Sequence, residues 1–155
     1  MAQERKKRRI VLASVLKPVD DTRMFEKMGA SLAPHGDEVY IIGYPSAVST
    51  VPEGIQLLPL SPFKRLSFAR LLAKWTVFGK LLKLKPAVVI FNTHELILPC
   101  VLLKIIMDVR IVYDVRENYY RNILHSGSFP FFIRWPLAWL VRFKEKLLAP
   151  AVDHF

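Results

Sequence analysis

The chain has few residues of several kinds, and each shortage excludes a class of protein. Cys100 is the single cysteine among 155 residues, so neither an intrachain disulfide nor a cluster of metal-bound thiolates can form. A cytosolic setting is consistent with this, because nothing in the chain needs an oxidising compartment. Since Cys100 lies within an apolar run, we interpret it as a small buried hydrophobic residue.

Several enzyme motifs are also missing. The turn after the first predicted strand contains neither Gly-x-Gly-x-x-Gly nor a Gly-Lys-Ser/Thr phosphate loop, so we expect it not to cradle a dinucleotide or ATP. No Gly-x-Ser-x-Gly nucleophile elbow is present, and no spacing indicates a nucleophile paired with a base.

Long apolar runs are absent as well. The longest, residues 96–103, is followed by Lys104, whereas a membrane-spanning helix needs about 20 apolar residues. The cationic start resembles that of a signal peptide, but the apolar stretch after it ends at Lys17-Pro18 without a small-residue cleavage site. We therefore predict a basic N-terminal arm over residues 1–9, solvated or touching anionic lipid, and a domain over residues 10–155.

Acidic residues are scarce relative to basic ones. The chain has 13 Asp and Glu against 23 Lys and Arg, a net charge of +10, and none of the acidic residues lies between Gly54 and His94. Such an excess suits nucleic acid, an anionic membrane or a phosphorylated substrate. We expect no nucleic-acid partner, because no motif for that task is present and bulky apolar residues alternate with the cations.

Two segments mix cations with large apolar side chains, as helices at a membrane interface do. The alternatives are a core-facing helix with a solvated Lys face for the first segment, and a domain interface or core for the second. The first contains Phe63, Lys64, Arg65, Leu66, Phe68, Arg70, Leu71, Leu72, Lys74, Trp75, Phe78, Lys80 and Lys83. The second contains Phe129, Phe131, Phe132, Arg134, Trp135, Trp139, Arg142, Phe143, Lys144 and Lys146.

Apolar runs and periodicities alternate in a way that predicts an α/β fold. We predict strands over residues 10–16, 38–43, 55–60, 87–91 and 110–114, and the beginning of another over 151–155. Helices are predicted over residues 22–33, 67–84, 96–107 and 130–148, the last one broken at Pro136. Residues 115–128 are predicted as a long loop. This order predicts a doubly wound, Rossmann-like parallel sheet with helices on both faces.

Polar and charged residues follow three of these strands directly. In an open α/β sheet the carboxyl ends of the strands line one ligand-binding crevice, so we expect these side chains to converge. Hydrogen-bonding groups beside aromatic rings suit a sugar or a phosphosugar. The candidate substrate-binding residues are Lys17, Arg23, His94, Glu95, Arg116, Glu117, Asn118 and Tyr119.

Two of these residues are candidates for a catalytic role, His94 as a proton acceptor and Glu117 as a carboxylate. Each has a structural alternative: His94 and Glu95 could simply open a helix capped by Thr93, and the segment with Glu117 could be a structural loop. No metal site is expected, because one His and one carboxylate are too few ligands.

Five segments, in order across almost the whole chain, carry a resemblance. They are residues 21–27, 32–42, 86–95, 111–120 and 151–153, with Phe91-Asn92-Thr93-His94-Glu95 and Tyr113-Asp114-Val115-Arg116-Glu117 at the ends of two strands. Their order and spacing resemble the N-terminal, acceptor-side domain of GT-B-fold glycosyltransferases of the family 4 type. The resemblance implies one half of a fold in which two Rossmann-like domains face each other across a cleft.

The resemblance also implies a function. In such enzymes the N-terminal domain usually holds the acceptor, and a C-terminal domain holds the nucleotide sugar through a pair of Glu residues and an Arg or Lys. They typically retain the configuration of the sugar, need no metal, and often lie against the cytoplasmic face of the membrane. Residues 10–155 are then the acceptor-binding half, truncated before the donor domain and inactive alone.

The implied partners are a glycan or lipid-linked acceptor, the missing donor domain and an anionic membrane surface. The domain itself is expected to bind no cofactor, the nucleotide sugar being the donor of the full-length enzyme in polysaccharide or glycolipid synthesis. A cytoplasmic location, peripheral on the inner face of the plasma membrane, follows. The alternative functions are a non-catalytic membrane-surface or sugar-phosphate binding module and a complete small Rossmann-like enzyme.

The chain departs from the family pattern at two places. Arg116 stands where many relatives have His, so no catalytic His is carried over to that position. Pro18-Val19-Asp20 replaces a glycine pair in the first turn. Glu117 is the nearby carboxylate that matches the pattern.

Overall fold

A five-stranded parallel sheet forms the centre of the molecule, a computed structural model that describes residues 7–64, 67–125, 127 and 130–155. The strands are β1 (Arg9–Pro18), β2 (Glu38–Tyr44), β3 (Ile55–Pro59), β4 (Val88–Phe91) and β5 (Arg110–Tyr113). Their order is β3-β2-β1-β4-β5, and every neighbouring pair is parallel. The chain therefore reverses its winding direction between β1 and β4, which is where ligands bind in open α/β sheets.

Helices cover both faces of the sheet, as predicted. One core cluster joins Val11, Val89 and Ile111 of the sheet to residues of α2 (Phe68–Leu84) and α3 (Ile97–Ile106). A second cluster joins Leu12 and Ile41, which alternate with the first set along their strands, to the helical residues 23–35. Because successive strand residues point to opposite faces, burial on both sides explains the nearly continuous apolar runs of the strands.

The first helical segment differs from the predicted single helix over residues 22–33. It consists of a π-helical stretch (Arg23–Gly29), a short helix α1 (Ala30–Leu32) and a 3-10 turn (Ala33–His35). Pro34, at the start of the last turn, lacks the N–H that would continue the α-helix. Gly36 follows with φ 82°, the left-handed stop that the sequence predicts.

Helix α2 begins and ends close to its predicted limits. Ser67 Oγ accepts a hydrogen bond from the Arg70 N–H at 3.4 Å, which caps the start. Lys85 ends the helix in the left-handed conformation, and Pro86 follows. Helix α3 starts one residue later than predicted, after a 3-10 turn (His94–Leu96).

The prediction of a loop over residues 115–128 is wrong, because it contains the helix α4 (Tyr119–His125). Asn118 Oδ1 accepts a hydrogen bond from the Arg121 N–H at 3.1 Å, as an N-cap residue does. Ile123 then packs against Ala138 and Val141 of α5 (Phe131–Leu148). Only Ile123 of this helix is buried, so the sequence around it shows no apolar periodicity that would predict a helix.

The predicted break at Pro136 is also wrong, since α5 runs without interruption through this residue. Pro136 lies in the second turn of the helix, where its missing N–H removes one hydrogen bond. Packing of Ala138 and Val141 on α4 outweighs that loss.

Strand β1 continues two residues beyond its predicted end at Leu16. Ser14 Oγ accepts hydrogen bonds from the N–H groups of Leu16 and Lys17, and the pairing with β2 shifts register between Ala13 and Pro18. The pairing of β1 with β2 is therefore irregular where β1 approaches its carboxyl end. At the other end β1 starts at Arg9; of the predicted basic arm, residues 1–6 lie outside the described residues, as do Arg65, Leu66 and Phe129 of the two basic–aromatic segments.

Of the further strand predicted over residues 151–155, the structure forms one isolated bridge at His154, and Ala151 belongs to a 3-10 turn. Tyr113 N donates to His154 O at 2.9 Å and Asp153 N donates to Ile111 O at 3.0 Å, which forms one parallel bridge beside β5. The preceding 3-10 turn (Ala149–Ala151) connects α5 to this bridge.

Candidate functional site

The segments that follow β1, β4 and β5 contact one another at the carboxyl edge of the sheet. Lys17 Nζ lies 3.6 Å from Glu117 Oε1. Arg23 Nη2 donates to Asp114 Oδ1 at 2.5 Å. The contacts join the end of β1 and the start of the helical segment that follows it to the segment after β5, across the end of β4. We call the region formed by residues 17–23, 92–95 and 114–119 the carboxyl-edge crevice.

Arg116 connects two of these segments from a largely buried position. Its Nη1 donates to Asp21 Oδ1 at 2.7 Å, and its Nε donates to Asp114 Oδ2 at 3.1 Å. Burial alone would raise the pKa of Asp21, but hydrogen bonds from Arg116 and from the Met24 N–H outweigh it, and the pKa is lowered. Arg116 therefore holds the turn after β1 and the segment after β5 together.

A second group of charges lies where β4 ends. Arg70 Nη2, from α2, donates to Glu95 Oε1 at 2.5 Å. Lys144, from α5, donates to His94 O at 2.6 Å and lies 3.1 Å from His94 Nδ1. The His94 ring meets the Tyr119 ring edge-on, with centroids 4.7 Å apart. Two helices remote in sequence thus supply cations to the turn after β4.

His94 is neutral near pH 7 in this environment. Burial, followed by the charges of Lys144, Arg70 and Lys74, lowers its pKa to about 4, although Glu95 acts in the opposite direction. With Lys144 as donor, Nδ1 accepts and the proton sits on Nε2, 3.6 Å from Glu95 Oε2. His94 could act as a proton acceptor only if Lys144 moved away from Nδ1.

Glu95 stays ionised for a related reason. Burial would raise the pKa of Glu95, but His94 in its protonated form and the hydrogen bond and charge of Arg70 outweigh that effect and lower it. Burial lowers the pKa of Lys144. The group is therefore a buried, mostly charged cluster in which each member depends on the others.

Four buried polar atoms have no hydrogen-bond partner within the described part of the chain: Asn92 Nδ2, Asn92 Oδ1, Glu95 Oε2 and Arg116 Nη2. All four belong to the carboxyl-edge crevice. Asn92 is only 2% exposed. Tyr119 OH donates to its main-chain carbonyl oxygen at 2.9 Å, and the side-chain amide has no partner among the described residues. An unpartnered buried polar group costs about 1–3 kcal/mol, so such a set points to a polar ligand or bound water.

All eight predicted site residues lie at the carboxyl edge, but they do not share one cavity. A cavity of about 490 Å³ is lined by residues 116–119 together with Tyr113, Arg142, Glu145, Lys146 and Phe155. Lys17, Arg23, His94 and Glu95 are not part of its lining. The predicted single cleft is thus a cavity beside β5 and an adjoining rim over β1 and β4.

Five residues of this region were not predicted from the sequence. Asp21, Asn92 and Asp114 lie at the ends of strands or in the turn after β1, and their position in the pattern was a usable signal. Arg70 and Lys144 belong to helices whose cations resemble ordinary surface residues. Only the folded chain shows that they turn inward to Glu95 and His94.

Other kinds of site are not apparent in the residues that the structure covers. In those residues, no three or more His, Cys, Asp and Glu side chains are grouped so that they could hold a metal ion. Cys100 is fully buried as predicted, and burial raises the pKa of its thiol. Within the described ranges, no helix combines the length and apolar character required to cross a membrane.

Comparisons with known proteins relate the chain to others by fold. No family model matches the sequence, and no curated protein matches it. Sucrose-phosphate synthase from Thermosynechococcus elongatus superimposes on 88% of the chain with a TM-score of 0.58 and 12% sequence identity. A structure described as a "putative epimerase" from Burkholderia cenocepacia J2315 covers 96% with a TM-score of 0.50 and 15% identity.

Both likenesses concern part of a larger protein. The chain spans 39% of the length of the synthase structure and 52% of that of the epimerase structure. At such low identity the likeness establishes the fold alone, and it confirms the predicted Rossmann-like α/β architecture.

Proposed function

We propose that this chain is the acceptor-binding half of a sugar-nucleotide-dependent glycosyltransferase. The acceptor would be a glycan or a lipid-linked glycan of polysaccharide or glycolipid synthesis. The observation that carries the proposal is the set of unpartnered buried polar atoms in the carboxyl-edge crevice. The fold shared with a glycosyltransferase, sucrose-phosphate synthase, and the segments that resemble family 4 support it.

The unpartnered atoms are closed to solvent in the structure, so a ligand can reach them only after the segments around them move apart. Their chemistry then suits sugar hydroxyls, which both donate and accept hydrogen bonds. The Asn92 amide offers one donor group and one acceptor, Glu95 Oε2 accepts, and Arg116 Nη2 donates. The ring of Tyr119 lies beside them and can pack on an apolar sugar face. This combination matches an acceptor with several neighbouring hydroxyl groups.

Of the other predicted residues, Lys17 is assigned to the rim and Glu117 to the lining of the adjoining cavity. Lys17 and Glu117 are partly exposed, with side-chain exposures of 38% and 45%, and can exchange their mutual contact for one with the acceptor. Glu117 is the better of the two catalytic candidates, because His94 is engaged with Lys144. The nucleotide sugar is assigned to a separate donor domain, as the family resemblance implies, and no cofactor to this one.

A glycan array probed with the chain, followed by calorimetric titration of any glycan that binds, tests the proposal. Arg116→Ala and Glu117→Gln are expected to weaken binding by about tenfold or more, since each removes a charge-assisted hydrogen bond. Glu38→Gln, at the opposite edge of the sheet, is the matched control and should bind normally. Absence of binding to every glycan, or equal loss in the control, would overturn the proposal.

The division of labour between two domains has its own test. The chain alone is expected to hydrolyse or transfer no sugar from a panel of nucleotide sugars, measured by release of the nucleoside diphosphate. Turnover by the chain would show that it is more than an acceptor half.

The cavity beside β5 favours a second candidate, a sugar-phosphate binding module without chemistry. Arg116, Arg142 and Lys146 line this cavity and could neutralise a phosphate group. In that case Arg142→Ala would abolish binding of phosphorylated sugars, and neutral glycans would not bind at all.

A further inference from the structure

The segment between β5 and α4 crosses the carboxyl-edge crevice. It comprises residues 114–118, which belong to no helix or strand, and we call it the strap. Its side chains alternate in exposure along the chain. Asp114 and Arg116 turn inward, with side-chain exposures of 9% and 12%, whereas Val115 and Glu117 are exposed. The strap therefore lies over the crevice with one face inward and one face in solvent.

The main chain of the strap is attached to the rest of the fold at its start only. Asp114 N donates to Phe91 O at 2.8 Å, at the point where the strap leaves β5. Among the described residues, the main-chain groups of residues 115–117 form no hydrogen bond with another main-chain group. The strap can thus separate from the crevice without the loss of a helix or strand, and segments of this kind open at low free energy.

Ion pairs between side chains hold the strap in place. They are Arg23–Asp114 at 2.5 Å, Arg116–Asp21 at 2.7 Å and Lys17–Glu117 at 3.6 Å. The side chains of Arg23 and Lys17 are 52% and 38% exposed, so water and salt reach two of the three pairs. Pairs of that kind are individually weak and are screened by salt.

The opposite side of the crevice is fixed more firmly. Pro18 is paired with Tyr44 of β2, and Val19 N donates to Tyr44 O at 2.9 Å. Val19 and Met24 are buried in the core cluster between the sheet and the first helical segment. The strap is therefore the side that can move when the ion pairs separate.

The strap closes over polar atoms that lack a partner. Tyr119, the residue that follows it, donates to the main-chain carbonyl oxygen of Asn92, which places the end of the strap beside Asn92. The side-chain amide of Asn92 and Arg116 Nη2 are buried without a partner among the described residues. These groups destabilise the closed form, whereas the ion pairs stabilise it. Opposing contributions of similar size favour an equilibrium between closed and open forms.

We propose that the strap is a lid over the Asn92 end of the carboxyl-edge crevice, which opens when its ion pairs separate and admits a polar ligand to the buried amide. The affinity of such a ligand is then reduced by the fraction of molecules in which the lid is closed. The inference concerns access to the site of the proposed function and rests on that function for the identity of the ligand. Its test needs no ligand, so the two can fail separately.

A thiol reporter measures the opening. Asn92→Cys places a thiol beneath the strap, and the fully buried Cys100 of the same chain reports unfolding of the core. Labelling with iodoacetamide, followed by mass spectrometry of peptides, gives the rate at each position. The introduced thiol is expected to react faster than Cys100. Raising NaCl from about 0.05 to about 1 M should increase its rate about fivefold, without a matching increase at Cys100.

Variants assign the opening to the ion pairs. Arg23→Gln is expected to raise the labelling rate of the introduced thiol about fivefold at low salt, since one ion pair of the strap is lost. The matched control is Arg9→Gln, which removes the pair with Glu38 at the amino end of the sheet and should leave the rate unchanged. Far-ultraviolet circular dichroism checks that the variants are folded. Hydrogen exchange of the parent chain, which keeps Asn92, should accelerate with NaCl over residues 92–95 and not over β2.

Three results would overturn the proposal. The first is labelling of the introduced thiol at the rate of Cys100 in every condition, because the site would then open only when the domain unfolds. The second is a rate that neither NaCl nor Arg23→Gln changes, and the third is an equal acceleration by Arg9→Gln. A chain that shows the salt-dependent opening but binds no glycan would support the lid and contradict the acceptor role.

Discussion

Charged side chains are paired differently at the amino and carboxyl ends of the sheet. At the amino end, Arg8 pairs with Asp37 at 2.7 Å and Arg9 pairs with Glu38 at 3.2 Å, each across neighbouring strands. Arg9 and Glu38 are even direct register partners. At the carboxyl end, Arg70, Arg116 and Lys144 reach across elements far apart in sequence, and four buried polar atoms still lack a protein partner among the described residues.

This difference separates a structural role from a binding role. The Arg9–Glu38 pair is partly exposed on both sides, so it is expected to contribute little to stability and to respond to salt. In the Arg8–Asp37 pair the carboxylate is buried, but two hydrogen bonds from the Arg8 guanidinium satisfy it. The carboxyl end keeps charges buried and incompletely satisfied, which costs free energy unless a ligand or water completes the bonds. A fold selected only for stability would not need such an arrangement.

Glu95→Ala is the change expected to distinguish the two ends most strongly. It leaves the cations from α2 and α5 buried without their carboxylate, so the free energy of unfolding should fall by about 3–4 kcal/mol. The matched change at the amino end, Glu38→Ala, should cost less than about 1 kcal/mol. Urea denaturation of both variants measures the difference, and equal losses would contradict it.

Gly43→Ala tests the backbone at the carboxyl end. A Cβ at this position would lie 2.7 Å from the Lys17 carbonyl oxygen and 3.0 Å from backbone atoms of Pro18 and Val19, so the end of β1 would have to move. We expect a loss of about 2–3 kcal/mol in the free energy of unfolding.

The control for this change is Gly79→Ala on α2, where a Cβ meets nothing within 4 Å. There, alanine should stabilise the helix by about 0.5–1 kcal/mol. A neutral Gly43→Ala variant would show that β1 does not pass Gly43 as closely as described.

Protonation of His94, which belongs to the same buried cluster, is expected to change the free energy of unfolding by less than the substitutions above. Folded His94 takes up its proton only at about pH 4, whereas the unfolded chain does so near 6.5. Between these values the unfolded state binds more protons, so the free energy of unfolding should decrease as pH falls from about 6.5 to about 4, by about 2 kcal/mol.

The decrease should be reduced in His94→Gln and unchanged in His35→Gln, whose ring is exposed. Urea melts at several pH values between 4 and 7 measure it. Identical pH profiles for the parent chain and His94→Gln would contradict a buried neutral imidazole.

The sequence predicts the sheet better than the helices around the crevice. Strands such as β4 are continuous apolar runs because helices cover both of their faces, and that pattern is local. Helix α4 escaped prediction because its short polar sequence is held by one cap and by packing of Ile123 on α5, a contact remote in sequence. A break at Pro136 was predicted wrongly because the packing of Ala138 and Val141 on α4 is also a contact between residues remote in sequence.

The residues of the candidate site also fall into a group that could be predicted from the sequence and a group that could not. Arg116, Glu117 and His94 could be found because they follow strands, and the carboxyl ends of parallel strands meet. The inward cations Arg70 and Lys144 could not, because an amphipathic helix with Lys and Arg gives no indication of which one turns to a buried carboxylate. The aromatic residues of α5, such as Trp135, Trp139 and Phe143, were visible in the sequence, but their exposure depends on which face of the helix the fold leaves open.

The central claim is that the carboxyl end of the sheet, and not the amino end, binds the ligand. Amide chemical shifts of the ¹⁵N-labelled chain, followed while a glycan that binds is titrated in, test it most directly. The account predicts shifts confined to Asn92–Glu95 and to the residues from Arg116 to Tyr119. Shifts confined to Arg8, Arg9, Asp37 and Glu38, or no shifts with any glycan, would contradict it.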